Sequence, residues 1–347
     1  MTTEQTANKA LLVLPHLRVQ NANAISSPMT WGFPSMTAFA GFMTALERRL
    51  GREVGIAFYG VGVICHGFEA QATQGGFTRS FHLTRNPVLH DGSTAAIVEE
   101  GRVHLDITLV FDVELRAALL GSDERQQLAR DIGERVAGMR IAGGSVMPAL
   151  PGVQRLALKP QLRLMSADAE ERQRDFRRLS RRWLPGFALV SRDDLLQARL
   201  AALKQADPTA TALDAWLDLS RLNHRAVQHQ TVDDKTGNTT DHVEWVTERP
   251  QGWTVPIPVG YAALSELHKP GTVARARDGT VPFRFVESVY SIGQWISPHR
   301  LNDVNDLLWY CQYDDGSRLY RCANDYRPTV VPASPVIAAV LAHSHAN

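Results

Sequence analysis

RVHLDITLVF, residues Arg102–Phe111, alternates apolar and polar side chains. Val103, Leu105, Ile107 and Leu109 point one way, as a strand with one buried face requires. Upstream, Ile56–His66 is rich in Val, Ile and aromatic residues and is bounded by glycines, which makes it the partner strand. Further back, ALLVLPHLRV (Ala10–Val19) reads as the first strand, with Pro15 marking a bulge or an edge position. Gln20–Pro34 follows as a polar loop punctuated by Asn, Ser, Gly and Pro. Ser35 is placed to cap a helix whose Phe39, Phe42, Met43, Leu46 and Leu50 recur at helical spacing, with Gly51 at its end.

Downstream, Asp123–Val136 carries Leu128, Ile132 and Val136 on one helical face, and Met139–Met147 reads as a strand with a glycine turn. The order is therefore strand, helix, strand, strand, helix, strand. That is an α+β fold of the ferredoxin-like, RRM type. A long arm, about residues 67–101, interrupts the two central strands. Residues 1–150 are thus expected to form an RRM-like domain with its arm.

Residues 151–225 are expected to be helical, with helices over Ala169–Leu184, Ser191–Gln205 and Thr211–Leu222. Ser191 followed by Asp194 resembles a capping box. Residues 226–347 are expected to pack back on the sheet through strands over Trp253–Pro258, Phe283–Tyr290 and Leu307–Tyr313. Gln228–His242 reads as a loop, and Tyr261, Leu264 and Trp295 as candidates for an apolar face that meets a partner.

The bulk composition narrows the function classes. The chain has 347 residues, 44% hydrophobic and 21% charged, enough to build a core. A net charge of +1 gives no overall basic field, so nucleic-acid binding has to rest on local clusters. Cys65, Cys311 and Cys322 are sparse and lack CxxC spacing, which argues against a disulfide framework and against zinc, and fits a reducing cytoplasm. The polar start MTTEQTANK has no leader-like apolar region, and Val336–Ala342 is too short to span a bilayer. No membrane association is expected.

Four features carry candidate chemistry. Arg18, Asn21, Asn23, Ser26, Ser27 and Trp31 cluster in the segment after the first strand. Their amides and hydroxyls suit base edges and phosphates, and Trp31 suits stacking; local Asx and Ser turns explain the same residue types equally well. The turn Gly143-Gly144-Ser145 allows close backbone approach to a ligand, or is simply a tight turn. It lacks the lysine of a phosphate-binding P-loop. The arm offers Arg79, His82, Arg85 and Asn86 with few acids nearby.

Finally, Arg174, Arg177, Arg178, Arg181 and Arg182 fall on one helical stripe, with Phe176, Leu179 and Trp183 opposite. Such a stripe suits phosphates, an acidic partner protein, or plain solvation beside Glu170 and Glu171. The twelve histidines form no metal or triad signature, and His343 and His345 lie in a terminal tail. No catalytic residue, metal or cofactor is expected. A metal-independent nuclease, which needs only a base and a cation, stays open.

Taken together, several segments resemble a known family: Ala10–Ser35, Phe81–Leu105, Met139–Pro148, Arg177–Leu196, Gly252–Ser265 and Arg284–Tyr310. The resemblance is to the handle-binding RAMP subunit of type I-F CRISPR (Csy) complexes, and it runs from about Ala10 to Tyr326. It implies an RRM-like fold with a helical insertion, and a non-catalytic role in antiviral defence. The partners it implies are the 5′ handle of the guide RNA, the large subunit and the adjacent backbone subunit, with target DNA met only through the complex. The arm would lie across the guide as a thumb. RNA processing would belong to another subunit; the alternatives are a guide-processing ribonuclease of the same fold and a scaffold that binds only the large subunit. The resemblance does not say which side chains touch RNA, so the residues named above rest on their chemistry.

Overall fold

The computed structural model describes residues 8–85, 88–116, 121–148, 158–232, 239–248 and 252–328. Its first strand, β1 (Asn8–Asn23), runs four residues into the segment expected to be loop. Two irregularities hide this from the sequence. The pairing register shifts between Leu14 and Leu17 and again between Val19 and Ala22, and His16 and Asn21 take positive φ of 49° and 56°. Each bulge resets the in–out alternation that would mark a longer strand.

The short hairpin β2 (Ile25–Ser27) and β3 (Thr30–Trp31) follows, then α1 (Met36–Leu50). The Ser35 side chain caps α1 by accepting from the Thr37 amide at 3.3 Å, and Gly51 ends it at φ 81°. Phe39, Phe42, Met43, Leu46 and Leu50 are all buried, as their spacing demands. β4 (Ile56–Ala70) leads into the arm, which holds two small hairpins, β5 (Ala72–Gly75) with β6 (Thr78–Phe81) and β7 (Leu83–Arg85) with β8 (Ile97–Glu99). β9 (Arg102–Leu115), α2 (Ser122–Val136), β10 (Arg140–Ile141) and β11 (Gly144–Val146) complete this half.

β12 (Gln161–Leu164) precedes α3 (Ala169–Ser180), which tightens into a 3₁₀ turn over Arg181–Trp183 rather than continuing as α-helix to Leu184. β13 (Phe187–Ser191) takes up Ser191, so the expected capping box does not form. The following helix, α4 (Asp193–Ala206), has Arg192 at its N-cap and no side-chain cap. α5 (Ala212–Ser220) does carry a capping box, between Thr211 and Asp214.

The expected loop over Gln228–His242 is instead largely a paired ribbon, β14 (Asn223–Val232) with β15 (Thr239–Glu248); residues 233–238 lie outside the described residues. Its described side chains are mostly exposed, so no apolar stripe announces it in the sequence. The remaining strands are β16 (Trp253–Ala263), β17 (Val286–Ile296), β18 (Trp309–Asp314) and β19 (Leu319–Asn324).

All pairings are antiparallel, and the main sheet runs β10-β11-β1-β9-β4-β13-β17-β16-β19-β18, with β12 also on β1. Taking β1, β4, β9 and the β10–β11 hairpin as first to fourth in the chain, their spatial order is fourth, first, third, second. β18 also touches β4, Trp309 facing Val61, so the second half of the sheet curls back on the first. The molecule is thus a mixed α+β structure on a mostly antiparallel sheet.

One sheet face is covered by α1 and α2, where Phe39, Leu46 and Ile132 meet Leu12, Leu109 and Phe111. Each fully buried side chain of this size contributes about 1.5–3 kcal/mol. On the other face α3 sets Phe176, Leu179 and the following Trp183 against Leu11, Val13 and Val110. The described residues contain no helix long and apolar enough to cross a membrane.

The cysteines depart from expectation. The β18–β19 hairpin sets Cys311 directly opposite Cys322, with Cα atoms 4.0 Å apart, and the two form a disulfide; Cys65 is free. Spacing alone does not reveal such a bond, because it follows from a strand register that only the fold supplies.

Candidate nucleic-acid interface

The C-terminal end of β1 is where the first two sequence features meet. Ala142 and Gly143 take φ of 48° and 78°, the two positive values a tight hairpin turn requires. The turn folds β11 onto β1, pairing Val19 with Val146 and Gln20 with Ser145, and the Asn23 amide donates to the Ala142 carbonyl at 2.9 Å. Arg18, Asn21, Asn23, Gly143, Gly144 and Ser145 are therefore neighbours. Gly144 serves the fold: a Cβ there would lie 2.6 Å from the Ala22 nitrogen and 2.7 Å from the Gln20 oxygen. Nothing crowds Gly143.

Hydrogen bonds divide the candidates. Asn23 spends its side chain on Ile25, donating to its carbonyl at 2.8 Å and accepting from its amide at 3.0 Å. Ser26 and Ser27 bond the Thr30 hydroxyl at 2.8 and 2.7 Å, inside their own hairpin. These three obey local turn chemistry. Arg18 donates to the Pro148 carbonyl at 3.1 Å, and among the described residues its other donors have no partner. Among the described residues, the side chains of Asn21 and Ser145 hold no partner, and neither does exposed Arg140, which the sequence reading passed over.

The arm joins this region through aromatic contacts. Trp31 stacks on Phe81 with centroids 6.1 Å apart and meets Phe68 edge-on at 6.4 Å. The Gln71 amide donates to the Arg102 carbonyl and the His82 amide to the Gln71 carbonyl. Arg102 in turn binds Glu100 at 2.8 Å. A hydrogen bond from Thr84, then the Arg102 guanidinium, holds the Glu100 carboxyl below its ordinary range. Arg79 and His82 are exposed on the arm without partners among the described residues. The Arg85 backbone lies in β7; its side chain and all of Asn86 lie outside the described residues.

The part of the sheet that α3 leaves uncovered is polar, and it holds a group the sequence did not bring together. His16 Nδ1 donates to the Asp106 carboxylate at 3.0 and 3.1 Å. His66 donates from Nδ1 to the Pro185 carbonyl at 2.7 Å, so its Nε2 accepts from the Thr108 hydroxyl at 2.8 Å. The two imidazoles stack on each other. They are fifty residues apart in the chain, and only the β1–β9–β4 order makes them neighbours.

The arginine stripe is elsewhere. Phe176 and Leu179 anchor α3 near Leu11, at the opposite end of β1 from Asn21–Ser27. Arg174, Arg177 and Arg178 are exposed on its outer side, and Arg181 and Arg182 are exposed on the 3₁₀ turn that follows. Among the described residues only Arg178 meets an acid, Asp175 at 3.7 Å. No group of three or more potential ligand side chains able to hold a metal occurs among the described residues.

The CRISPR-associated protein family Cas_Csy2 matches residues 12–322. The CRISPR-associated protein Csy2 of Pseudomonas aeruginosa (strain UCBPP-PA14) is 48% identical over 318 residues, covering 91% of this chain and 95% of that protein. A match of this extent spans both halves of the sheet, the arm and α3, and on it the chain belongs to the CRISPR-associated Csy2 family.

Proposed function

We propose that this chain is a non-catalytic subunit of a type I-F CRISPR (Csy) RNA-guided complex that grips the 5′ handle of the guide RNA. Family membership supports the setting. The observation that carries the RNA-binding role is the meeting of β1, the glycine turn and the arm root around Asn21, Ser145, Arg18 and Arg140, groups with hydrogen-bonding capacity left over. Single-stranded RNA is held through such groups, by splaying its bases and reading their exposed edges.

The strand order fourth, first, third, second supports an RRM-like, ferredoxin-type RAMP fold, with residues 151–225 inserted and the C-terminal strands returned to the sheet. The arm would lie on the guide as a thumb. Target DNA would be recognised by the guide's base pairing, as in other RNA-guided systems, and the protein would work in the cytoplasm.

The proposed partners are the large subunit and the neighbouring backbone subunit. Tyr261, Leu264, Phe285 and Val286 leave large apolar surface exposed at one end of the β16–β17 pair, which suits a protein partner. Crosslinking of labelled handle RNA to this chain within the co-purified complex tests the reading: crosslinks are expected at Asn21–Trp31, Gly143–Ser145 or the arm, and RNA crosslinked only to other subunits would reduce the chain to a scaffold.

The stacked His16 and His66 are the one observation that favours a metal-independent ribonuclease, since paired groups of different acidity make an acid and a base. The geometry argues against it. Both nitrogens of His66 are engaged, so it offers no lone pair to a substrate hydroxyl, and of the two rings only His16 Nε2 is open among the described residues. Incubation of purified protein with repeat RNA in EDTA is expected to leave the RNA intact; a specific cut abolished by His16→Ala would establish the nuclease.

A further inference from the structure

Trp31, Phe68, Phe187, Trp253 and Trp295 wall a cleft of about 470 Å³ on the α1 side of the sheet, floored by Leu189 and Ile257. The rings come from five separate places: β3, the end of β4, the starts of β13 and β16, and the end of β17. Trp253 meets Phe187 edge-on at 5.3 Å and Trp295 at 6.1 Å, and Trp31 meets Phe68 edge-on at 6.4 Å. Yet Trp31, Phe68, Phe187 and Trp253 stay 41%, 43%, 43% and 56% exposed. A core would have closed over them. Four large rings half open around one cleft leave apolar area that a ligand would remove from water.

The lining is uncharged. It contains no Asp, Glu, Lys or Arg. Burial raises the Cys65 thiol to about 12, and burial also lowers His66, so both stay neutral near neutral pH. Phosphates are thus poor occupants, and a flat neutral group is a good one. Aromatic walls favour a ring system that can stack over an aliphatic side chain. The cleft also shares Ser26 and Trp31 with the interface described above, and Phe81, stacked on Trp31, is followed on the arm by His82, whose exposed side chain has no partner among the described residues. A strand crossing the arm root would pass its mouth.

We propose that this aromatic cleft takes one unpaired nucleobase of the bound RNA and holds it by stacking, with little choice among bases. The proposal deepens the RNA-binding reading and rests on it. It fixes one nucleotide at a defined distance from the arm, and so sets register through shape rather than sequence.

The test uses the full chain in its co-purified complex and synthetic handle RNAs carrying 2-aminopurine at successive positions. One position is expected to be strongly quenched. Trp253→Ala and Trp253→Leu should relieve that quenching and weaken binding of the RNA about 5- to 150-fold, while Trp253→Phe should keep both. Leu keeps the apolar bulk and loses the π face, so it separates stacking from apolar docking.

If no position is quenched although the RNA binds and Asn21 or Arg18 substitutions weaken it, the base pocket is overturned and the RNA-binding reading stands. If no RNA binds the wild-type chain, both fall. If the Trp253 variants bind RNA normally but lose their protein partners, the cleft is a socket for a partner side chain, and the proposal is overturned.

Discussion

The His16 ring lies on the His66 ring, centroids 4.1 Å apart and planes 23° from parallel, yet the two are driven in opposite directions. The Asp106 hydrogen bond raises His16 above its ordinary 6.5, against an opposing effect of burial. Burial lowers His66, and the neighbouring His16 charge lowers it further, while the Pro185 carbonyl opposes both. A two-dimensional NMR titration of the imidazoles should therefore find His16 above 6.5 and His66 below it.

The same shifts set the sign of the pH dependence of stability. His16 contributes stability that is present below 6.5 and lost as pH rises through its folded value. His66 contributes in the opposite window: its share is present above 6.5 and lost as pH falls from 6.5 towards its lowered folded value. Asp106→Asn should remove the decline above 6.5 and leave the decline below it. Thermal melts across pH 5–8 check this, and an unchanged upper limb in the variant would show that Asp106 is not the cause.

At the glycine turn, neighbouring substitutions should differ in mechanism. Gly144→Ala drives a methyl group into the β1 backbone at Ala22 and Gln20, which cannot yield as a side chain can. It should destabilise by about 1–3 kcal/mol and disturb RNA binding through the fold. Gly143→Ala meets no atom and is strained only by its φ of 78°; a cost of about 1 kcal/mol is expected. Chemical denaturation orders the two, and equal losses would mean the turn is not packed as described.

The order of elements along the chain could be read because α1, α2 and the first half of β9 (residues 102–107) each bury one regular face, and regular burial leaves a period in the sequence; over residues 107–111 β9 is buried on both faces. What escaped the reading lacks that regularity. The end of β1 is masked by bulges at Pro15–His16 and Asn21, and β14 and β15 by the exposure of most of their described side chains. Composition located the Asn/Ser segment and the glycine turn, but could not tell Asn21 from Asn23, since only hydrogen bonding shows which side chain is already spent. The aromatic cleft leaves no signal for another reason: apart from Trp31 and Phe33, its Phe and Trp rings lie far apart in the chain, from Phe68 to Trp295.

The apolar end of the β16–β17 pair should behave as a protein interface. Leu264 and Phe285 are 66% and 49% exposed, and the Leu264 amide bonds the Phe285 carbonyl at 2.9 Å, so the backbone is fixed while the side chains face outward. Leu264→Ser with Phe285→Ser should make the isolated chain more soluble and abolish its co-purification with the large subunit. A bound partner stabilises the folded form, so the wild-type melting temperature should rise with that subunit and the variant's should not. Trp295, expected from the sequence on such a face, is half-buried, packs against Phe33 with centroids 4.8 Å apart and lines the cleft.

On the proposed function, the arginine stripe on α3 and the 3₁₀ turn after it tests whether nucleic acid runs beyond the handle. Its apolar back is fully engaged, with Phe176, Leu179 and Trp183 buried, so the helix is a rigid mount for the charges. Its acids do not neutralise them: Glu171 accepts from Ser166 at 2.7 Å, and the Arg178–Asp175 pair is long and exposed at both ends, worth at most about 1 kcal/mol. If Arg177 and Arg178 each neutralise one phosphate of a single strand, replacing both with Ala should lower the magnitude of the log-affinity against log-salt slope by roughly 1.4. Replacing both with Glu should weaken binding further by repulsion. An unchanged slope in an assembled complex would make the stripe a solvated surface. Loss of assembly with the large subunit, while RNA binding by the preformed remainder persists, would make it a dock for carboxylates, because the guanidinium fork serves those as well as phosphates.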